Sequence, residues 1–443
     1  MLEAISKPHF KFGFEGFASL WHPVLKPVVE KAVFKTLVFL LPTQLAFHLW
    51  PSWAHIFGIR IDYLSPTFYL TDFLIGLLFL FWFIRRVKIS QKVVMWGMAF
   101  LLFAVLNIYF SQSLFPAIFR WIKVFECIFL GFYIATKKDF QLKEWLIQPL
   151  ILSAIVFSSI GIGQVLFQRT LGSIFYYLGE RTFSSATPGI ALVEIFGRNF
   201  LRAYSTFSHP NSFGGYLSVS FLLILGYAKK GKLKYFALLF SLSGIVLSFS
   251  LGVCLALILV CLIYYFRKRI QKKGVYIIFG GIIVLSLLLP FASRDFLTKY
   301  FSDNQTIMRR LALAEISQEM IFEKPILGVG LNNYILKLSQ QNLYPQVSWW
   351  LQPVHNIFLL IFSETGLVGL LLFLFLIFKA MEGSLKISLQ SRVPLCRINY
   401  KLIIPILFIL ITGLIDHYWI TLQQNILLFA MVLGLSLRKW KTN

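Results

Sequence analysis

Two arginines and one histidine set the first chemical question. Arg202 opens the stretch Arg202-Ala203-Tyr204-Ser205-Thr206-Phe207-Ser208-His209-Pro210-Asn211, which runs into a long apolar segment. Arg310 lies within 303–323, which reads as a helix with Ser302 or Asp303 as its cap. At about 100° per residue, Glu315, Glu319 and Glu323 form one solvated stripe. Ile307, Leu311, Leu313, Ala314, Met320 and Ile321 fill most of the rest. Arg309 falls at the edge of that apolar arc, near the angle of Glu323. Arg310 falls close to its middle, and no acid on the helix shares its angle. A guanidinium on an apolar face is costly without a partner. Arg310 is therefore the stronger candidate for an anionic ligand, with an ion pair to another element as the alternative. His355 closes Gln352-Pro353-Val354-His355 at the entrance to another apolar run. The positive end of a helix dipole disfavours imidazolium, so a neutral imidazole that can accept a proton is expected there.

These residues need a frame. Of 443 residues, 58% are apolar and only 14% charged, too few charges for an ordinary water-soluble fold. Apolar runs fall near 33–50, 69–84, 93–110, 117–135, 146–167, 212–228, 235–249, 252–266, 274–291, 357–378, 402–415 and 421–437, lengths close to that of a membrane-crossing helix. The reading is an all-α polytopic integral membrane protein of about twelve transmembrane helices, a single transmembrane domain over 1–443. Lys and Arg cluster at 85–92, 137–143, 229–234, 267–273, 379–401 and 438–441. With the N-terminus inside, all six clusters share one side, which the positive-inside rule makes cytoplasmic. Residues 1–31 lack the apolar core of a signal peptide and suit the inner membrane surface. Two long segments then face outward: 168–211 and the large helical loop 292–355.

That topology puts 28 basic residues inside and 11 outside, and the two sets differ in kind. The outward set is Arg60, Arg169, Arg181, Arg198, Arg202, Arg294, Arg309 and Arg310, with only Lys299, Lys324 and Lys337. Lys suffices as a topological point charge, whereas the planar fork of Arg suits phosphate oxygens. The excess of Arg points to an anionic ligand on that face; ordinary salt bridges with loop acids are the alternative. Cytoplasmic loops account for the net charge of +24, so nucleic-acid binding is not expected.

Other ionisable or polar residues join the candidates. His209 is a ligand contact or a local cap, and Asn211 follows the stiff helix entry at Pro210. Arg120, Lys123 and Glu126 lie within one apolar run. Lys123 and Glu126, three apart, can neutralise each other and leave Arg120 for a phosphate site. Glu364 is nine residues past His355, about 13 Å deep at about 1.5 Å per residue, and intramembrane acids are functional candidates by default. The glycines of Leu327-Gly328-Val329-Gly330-Leu331-Asn332-Asn333-Tyr334 permit a tight turn without a nucleotide-binding pattern. Cys127, Cys254, Cys261 and Cys396 show no CxxC spacing. The outward segments hold no DxD and no tight acid cluster, so neither a metal nor a cofactor is expected.

Three segments in order carry a resemblance: RAYSTFSHPNSFGGYLSVS, RLALAEISQEMIFEKPILGVGLNNY and QPVHNIFLLIFSETGLVGLLLF. With the closing DHYWITLQQNILLFAMVLGL, they resemble the O-antigen ligase and O-antigen polymerase-like family of bacterial envelope glycosyltransferases over about residues 200–437. The resemblance implies an all-helical, metal-independent enzyme of the bacterial cytoplasmic membrane, working at its periplasmic or extracellular face. The implied donor is a glycan on polyprenyl diphosphate, and the acceptor a hydroxyl of a glycan or lipid core. Carried over, Arg202 and Arg310 bind the diphosphate and His355 is the base. Arg309, Arg120, His209, Asn211, Asn356 and Glu364 are the further substrate-binding candidates. One departure stands out: the family often has Arg in a Ser-Arg-Gly turn, where this chain has Ser250-Leu251-Gly252. The rival reading is a twelve-helix transporter or lipid-linked oligosaccharide flippase, although no repeat of two similar halves is visible.

Overall fold

The computed structural model describes residues 25–85, 87, 89–292, 298–299, 302, 304–340, 351–386 and 399–438. Residues 1–24 of the N-terminal surface segment, Arg294, the candidate cap Asp303, and residues 387–398 of the basic loop with Cys396 lie outside the described residues.

The protein is mostly helical. Apolar runs in lipid must satisfy their own backbone groups, and a helix does so within one segment. In chain order the helices are α1 (Leu25–Phe39), α2 (Leu70–Ile84), α3 (Gln91–Tyr109), α4 (Leu114–Thr136), α5 (Gln148–Phe167), α6 (Pro210–Tyr227), α7 (Lys232–Leu247) and α8 (Leu251–Tyr265). There follow α9 (Lys272–Ala292), α10 (Gln305–Glu323), α11 (Tyr334–Gln340), α12 (Ile357–Lys386), α13 (Tyr400–Gly413), α14 (Tyr418–Thr421) and α15 (Gln423–Leu437). Among the described residues three helices are long and apolar enough to cross a membrane: Gln91–Tyr109, Lys143–Phe167 and Ile357–Leu385. Large apolar side chains such as Phe79, Leu102, Leu259 and Leu288 face outward from their helices, a surface that suits lipid and not water.

Two expectations need correction. The first apolar run, 33–50, is not one helix. Helix α1 ends at Phe39, because Pro42 lacks an amide hydrogen and restricts Leu41. The all-α reading also misses three antiparallel hairpins: β1 (Ala46–His48) with β4 (Thr67–Tyr69), β2 (His55–Ile56) with β3 (Ile59–Arg60), and β5 (Leu192–Ile195) with β6 (Arg198–Leu201). Strands this short fall below any periodicity a sequence window detects. Two of them turn through Phe-Gly pairs with positive φ, at Phe57-Gly58 and Phe196-Gly197, as tight hairpins demand.

The main core gathers α1, α2, α4 to α9 and α12 to α15, while α3 packs separately, Phe103 and Ala104 against Trp121 of α4. A second cluster caps one end of the bundle. It joins Ala54, Ile56 and Leu64 of the β2–β3 region to Leu313 and Met320 of α10, Val354, and Leu359 of α12. At the other end the buried Glu30 carboxylate accepts from Arg85, from Lys137 at 3.1 Å and from the Tyr133 hydroxyl at 2.6 Å, tying α1 to α4.

Helix α12 is broken at Gly366, where φ is +66°. The loop after α10 docks in that break. Leu367 N donates to Pro325 O at 2.8 Å, Val329 N to Ser363 O at 2.9 Å and Gly330 N to Glu364 O at 3.0 Å. The piece below the break, Leu367–Lys386, is about 30 Å long at about 1.5 Å per residue, by itself enough for the hydrocarbon core. Glu364 lies beside the end of α3, its carbonyl accepting from the Asn107 amide at 3.0 Å.

Candidate functional site

The capped end of the bundle gathers the ionisable groups. His209 caps α6: its Nδ1 accepts from Asn211 N at 3.2 Å. That frees the Asn211 side chain to bridge. Its Oδ1 accepts from Arg202 Nη2 at 2.8 Å, and its Nδ2 donates to Asp416 Oδ2 at 2.9 Å. Arg202 Nε is held by Ser248 O at 2.7 Å. Asp416 lies in the turn between α13 and α14, and its Oδ1 accepts from His417 N at 2.8 Å. His417 Nδ1 pairs with Thr421 Oγ1 at 2.8 Å, which leaves its Nε2 to face the cluster.

His355 meets this turn from α12. The N-cap of α12 is Asn356, whose Oδ1 accepts from Phe358 N at 2.9 Å and Leu359 N at 3.1 Å. His355 thus stands one residue outside the helix. A Cβ on Gly413 would lie 2.5 Å from Ile357 Cδ1, so glycine at the end of α13 lets the head of α12 sit close. The His355 and His417 rings are 5.1 Å apart, edge to face. Their nitrogens and an Asp416 oxygen all lie within 4.8 Å of one another. Tyr63 packs edge-on to His417 at 5.6 Å. His355 Nδ1 is buried without a hydrogen-bond partner among the described residues.

Arg310 approaches from α10. Its cap is Asn304, not Ser302 or Asp303: Asn304 Oδ1 accepts from Thr306 N at 3.1 Å and Ile307 N at 3.2 Å. Leu311, Leu313, Ala314, Ile316 and Met320 are buried and Glu319 and Glu323 exposed, with Arg310 half-buried between the faces. Among the described residues Arg310 makes no hydrogen bond or ion pair. Its charge is felt at His355, His417 and His209.

Electrostatics keep the imidazoles neutral. Burial pushes His355 down to about 3; His417 and Arg310 push the same way, and Asp416 opposes them. The dipole anticipated from sequence is thus not the main cause. Burial takes His209 down to about 4 and also lowers His417. Burial acts to raise the Asp416 carboxyl, but the facing histidines and the Asn211 amide outweigh it and hold it at about 2. At neutral pH the centre holds neutral imidazole, carboxylate and two guanidiniums.

Arg202, Arg310, His355, His209 and Asn211 are thus brought together. Four other candidates are not. Arg309 precedes Arg310 on a different face of α10. Arg120 donates to Ile420 O, just beyond His417. Its neighbour Lys123 pairs with Asp72 on α2 as well as with Glu126 at 3.6 Å. Both ends of the Asn356 amide are used, in capping and in bonds to Ser286. The Glu364 carboxylate accepts from Tyr334 N at 3.2 Å and braces the loop after α10. Leu251, where the family Arg was expected, opens α8 with its side chain exposed.

Sequence reasoning missed Asp416, His417 and Tyr63. The available signal was an Asp-His pair interrupting two apolar runs on the same face as His355. His355, Asp416 and His417 are also a donor set that could hold a divalent cation, contrary to the expectation that no such set existed; Arg202 and Arg310 nearby favour an anion.

Residues 236–374 match the O-antigen ligase family model. A Rickettsia felis protein named "Putative polysaccharide ligase" is 27% identical over 304 residues, 64% of this chain and 67% of the relative. Similarly named proteins of Rickettsia conorii and Rickettsia bellii are each 25% identical, over 69% and 65% of this chain and 72% and 68% of their own lengths. The matched region runs from α7 through the Arg310 helix and His355 into α12, so over this stretch the chain is similar to the O-antigen ligase family, and its long apolar helices mark it as an integral membrane protein.

Proposed function

We propose that this protein transfers a glycan from a polyprenyl diphosphate donor to an acceptor hydroxyl on a glycan or lipid core. The observation that carries the reading is the meeting of Arg310, which has no ion-pair partner among the described residues, with the Arg202–Asn211–Asp416 chain and the neutral His355. His355 takes the proton of the acceptor hydroxyl. The oxygen attacks the anomeric carbon, the bond from that carbon to the diphosphate oxygen breaks, and polyprenyl diphosphate leaves with the bonding pair. Arg310 and Arg202 meet the negative charge that grows on the leaving phosphate, a form of preorganised stabilisation. Asp416 steadies the imidazolium until its proton is released. Transfer in this account is metal-independent, because guanidiniums supply the charge that a cation would otherwise bring.

The setting that goes with this chemistry is a twelve-span protein of the bacterial cytoplasmic membrane, with both termini cytoplasmic and the Arg–His centre on the outer face. There the lipid tail enters sideways while the diphosphate sits at the rim. The test is turnover of a defined polyprenyl diphosphate oligosaccharide by purified protein, with products scored by size. Transfer that persists in EDTA and fails in Arg310→Ala, Arg202→Ala and His355→Ala is the expected result. Wild-type rates in all three variants overturn the assignment. A donor left chemically intact while crossing the bilayer identifies the flippase alternative.

A further inference from the structure

We infer that Asn107, on α3, is a positioning residue that sets the Arg310 helix against the His355 helix; the inference rests on the transfer reading above. The side chain is 1% exposed and uses its full hydrogen-bonding capacity. Nδ2 donates to Leu327 O at 2.7 Å and to Glu364 O at 3.0 Å. Oδ1 accepts from Leu331 N at 3.0 Å and from Trp121 Nε1 at 2.9 Å. One amide thus pins both partners of the α12 break: the loop that leaves α10 and the carbonyl just before Gly366.

The pinned parts fit nowhere else. A Cβ on Gly328 would strike Glu364 and Thr365 backbone, and one on Gly366 would strike the Ile326 carbonyl. The two chains therefore interlock backbone to backbone, with no side chain between them to absorb a shift. Each reacting residue stands at the far end of a rigid lever from this lock. Arg310 lies about 20 Å along α10 from Lys324, at about 1.5 Å per residue. His355 heads the short piece of α12 above the break. A tilt of a few degrees at the lock moves Arg310 by about 1 Å, enough to cost about 10²-fold in rate. Asn107 touches neither the histidine cluster nor Arg202, so its loss acts through geometry alone. It also stands outside residues 236–374, the part that matches the family model.

The test pairs kinetics with a distance. Donor KM and kcat are measured for Asn107→Ala. In parallel, spin labels at Glu319→Cys on α10 and Leu371→Cys on lower α12, with the native cysteines replaced by serine, report the inter-helix distance distribution. Expected are a kcat lower by about 10²-fold, a donor KM within about threefold, and a broadened or displaced distance distribution. Trp121→Phe, which removes one of the four bonds, gives a smaller loss. Wild-type kcat in folded Asn107→Ala, or lost kcat with an unchanged distance distribution, overturns the inference. Asn107→Ser is the second variant. Failure of both to accumulate as folded protein assigns Asn107 to folding alone and likewise overturns it. If wild-type protein transfers no glycan while the distances still respond to Asn107, the transfer reading has failed and the mechanical coupling has not.

Discussion

In the proposed reaction His355 serves as the base only while a ring nitrogen keeps its lone pair, and burial protects that state far below the ordinary imidazole range, to about 3. A group with a lowered value stays neutral as pH falls through the ordinary value of about 6.5. In the free enzyme kcat/KM should therefore stay flat from pH 7 to about pH 5; an acidic limb centred near 6.5 would remove His355 as the base. Asp416→Asn keeps the shape of the turn but leaves the imidazolium without its carboxylate. It should lower kcat by about 10²–10⁴, the usual worth of acid–base assistance, with the donor KM little changed; an unaltered kcat in folded protein would show that Asp416 has no part in the reaction. Arg202, Arg310 and His355, which the fold gathers at one end, stood out in the chain because charge is conspicuous against apolar sequence. Asp416 and His417 were not: neighbours in sequence and far from His355, they fit no ligand or catalytic spacing. Asn107 was hidden because an uncharged amide in an apolar run leaves no mark in a charge count.

Helices were legible because membrane-length apolar runs leave the backbone few other solutions; hairpins of two to four residues per strand, and the break in α12, were not. An apolar run looks the same whether its helix is straight or broken, and Gly366 is one glycine among 28. Its positive φ is the distinguishing feature, and it belongs to the docked loop as much as to the helix. Gly366→Ala places a Cβ in the left-handed region, at about 1–3 kcal/mol, and drives it into the Ile326 carbonyl. The thermal midpoint in detergent should fall and transfer should be lost. Gly280→Ala, in mid-helix with nothing within 4 Å of the new Cβ, should leave both unchanged, since Ala is the better helix former. Equal behaviour of the two variants would mean that the break does not hold the head of α12 in place.

The whole molecule is a dipole of composition: Lys-rich loops gather at one end of the bundle, and the Arg–His centre occupies the other. That asymmetry makes a topological prediction independent of any chemistry. Phe196, at the tip of the β5–β6 hairpin, is fully exposed and belongs to the same end as Arg202. Lys230, in the turn between α6 and α7, is exposed and sits in a basic cluster. If positive charge orients the chain, Phe196→Cys in a cysteine-free background reacts with a membrane-impermeant maleimide in intact cells stripped of their outer barrier. Lys230→Cys reacts only after the membrane is permeabilised. The opposite pattern would put the histidine cluster on the cytoplasmic side, where a polyprenyl diphosphate glycan awaiting transfer at the outer surface cannot reach it. Labelling of both sites from one side would remove the single crossing by α6 between them and the shared orientation of the six basic loops, and with it the account of why arginine, and not lysine, dominates in the outward segments.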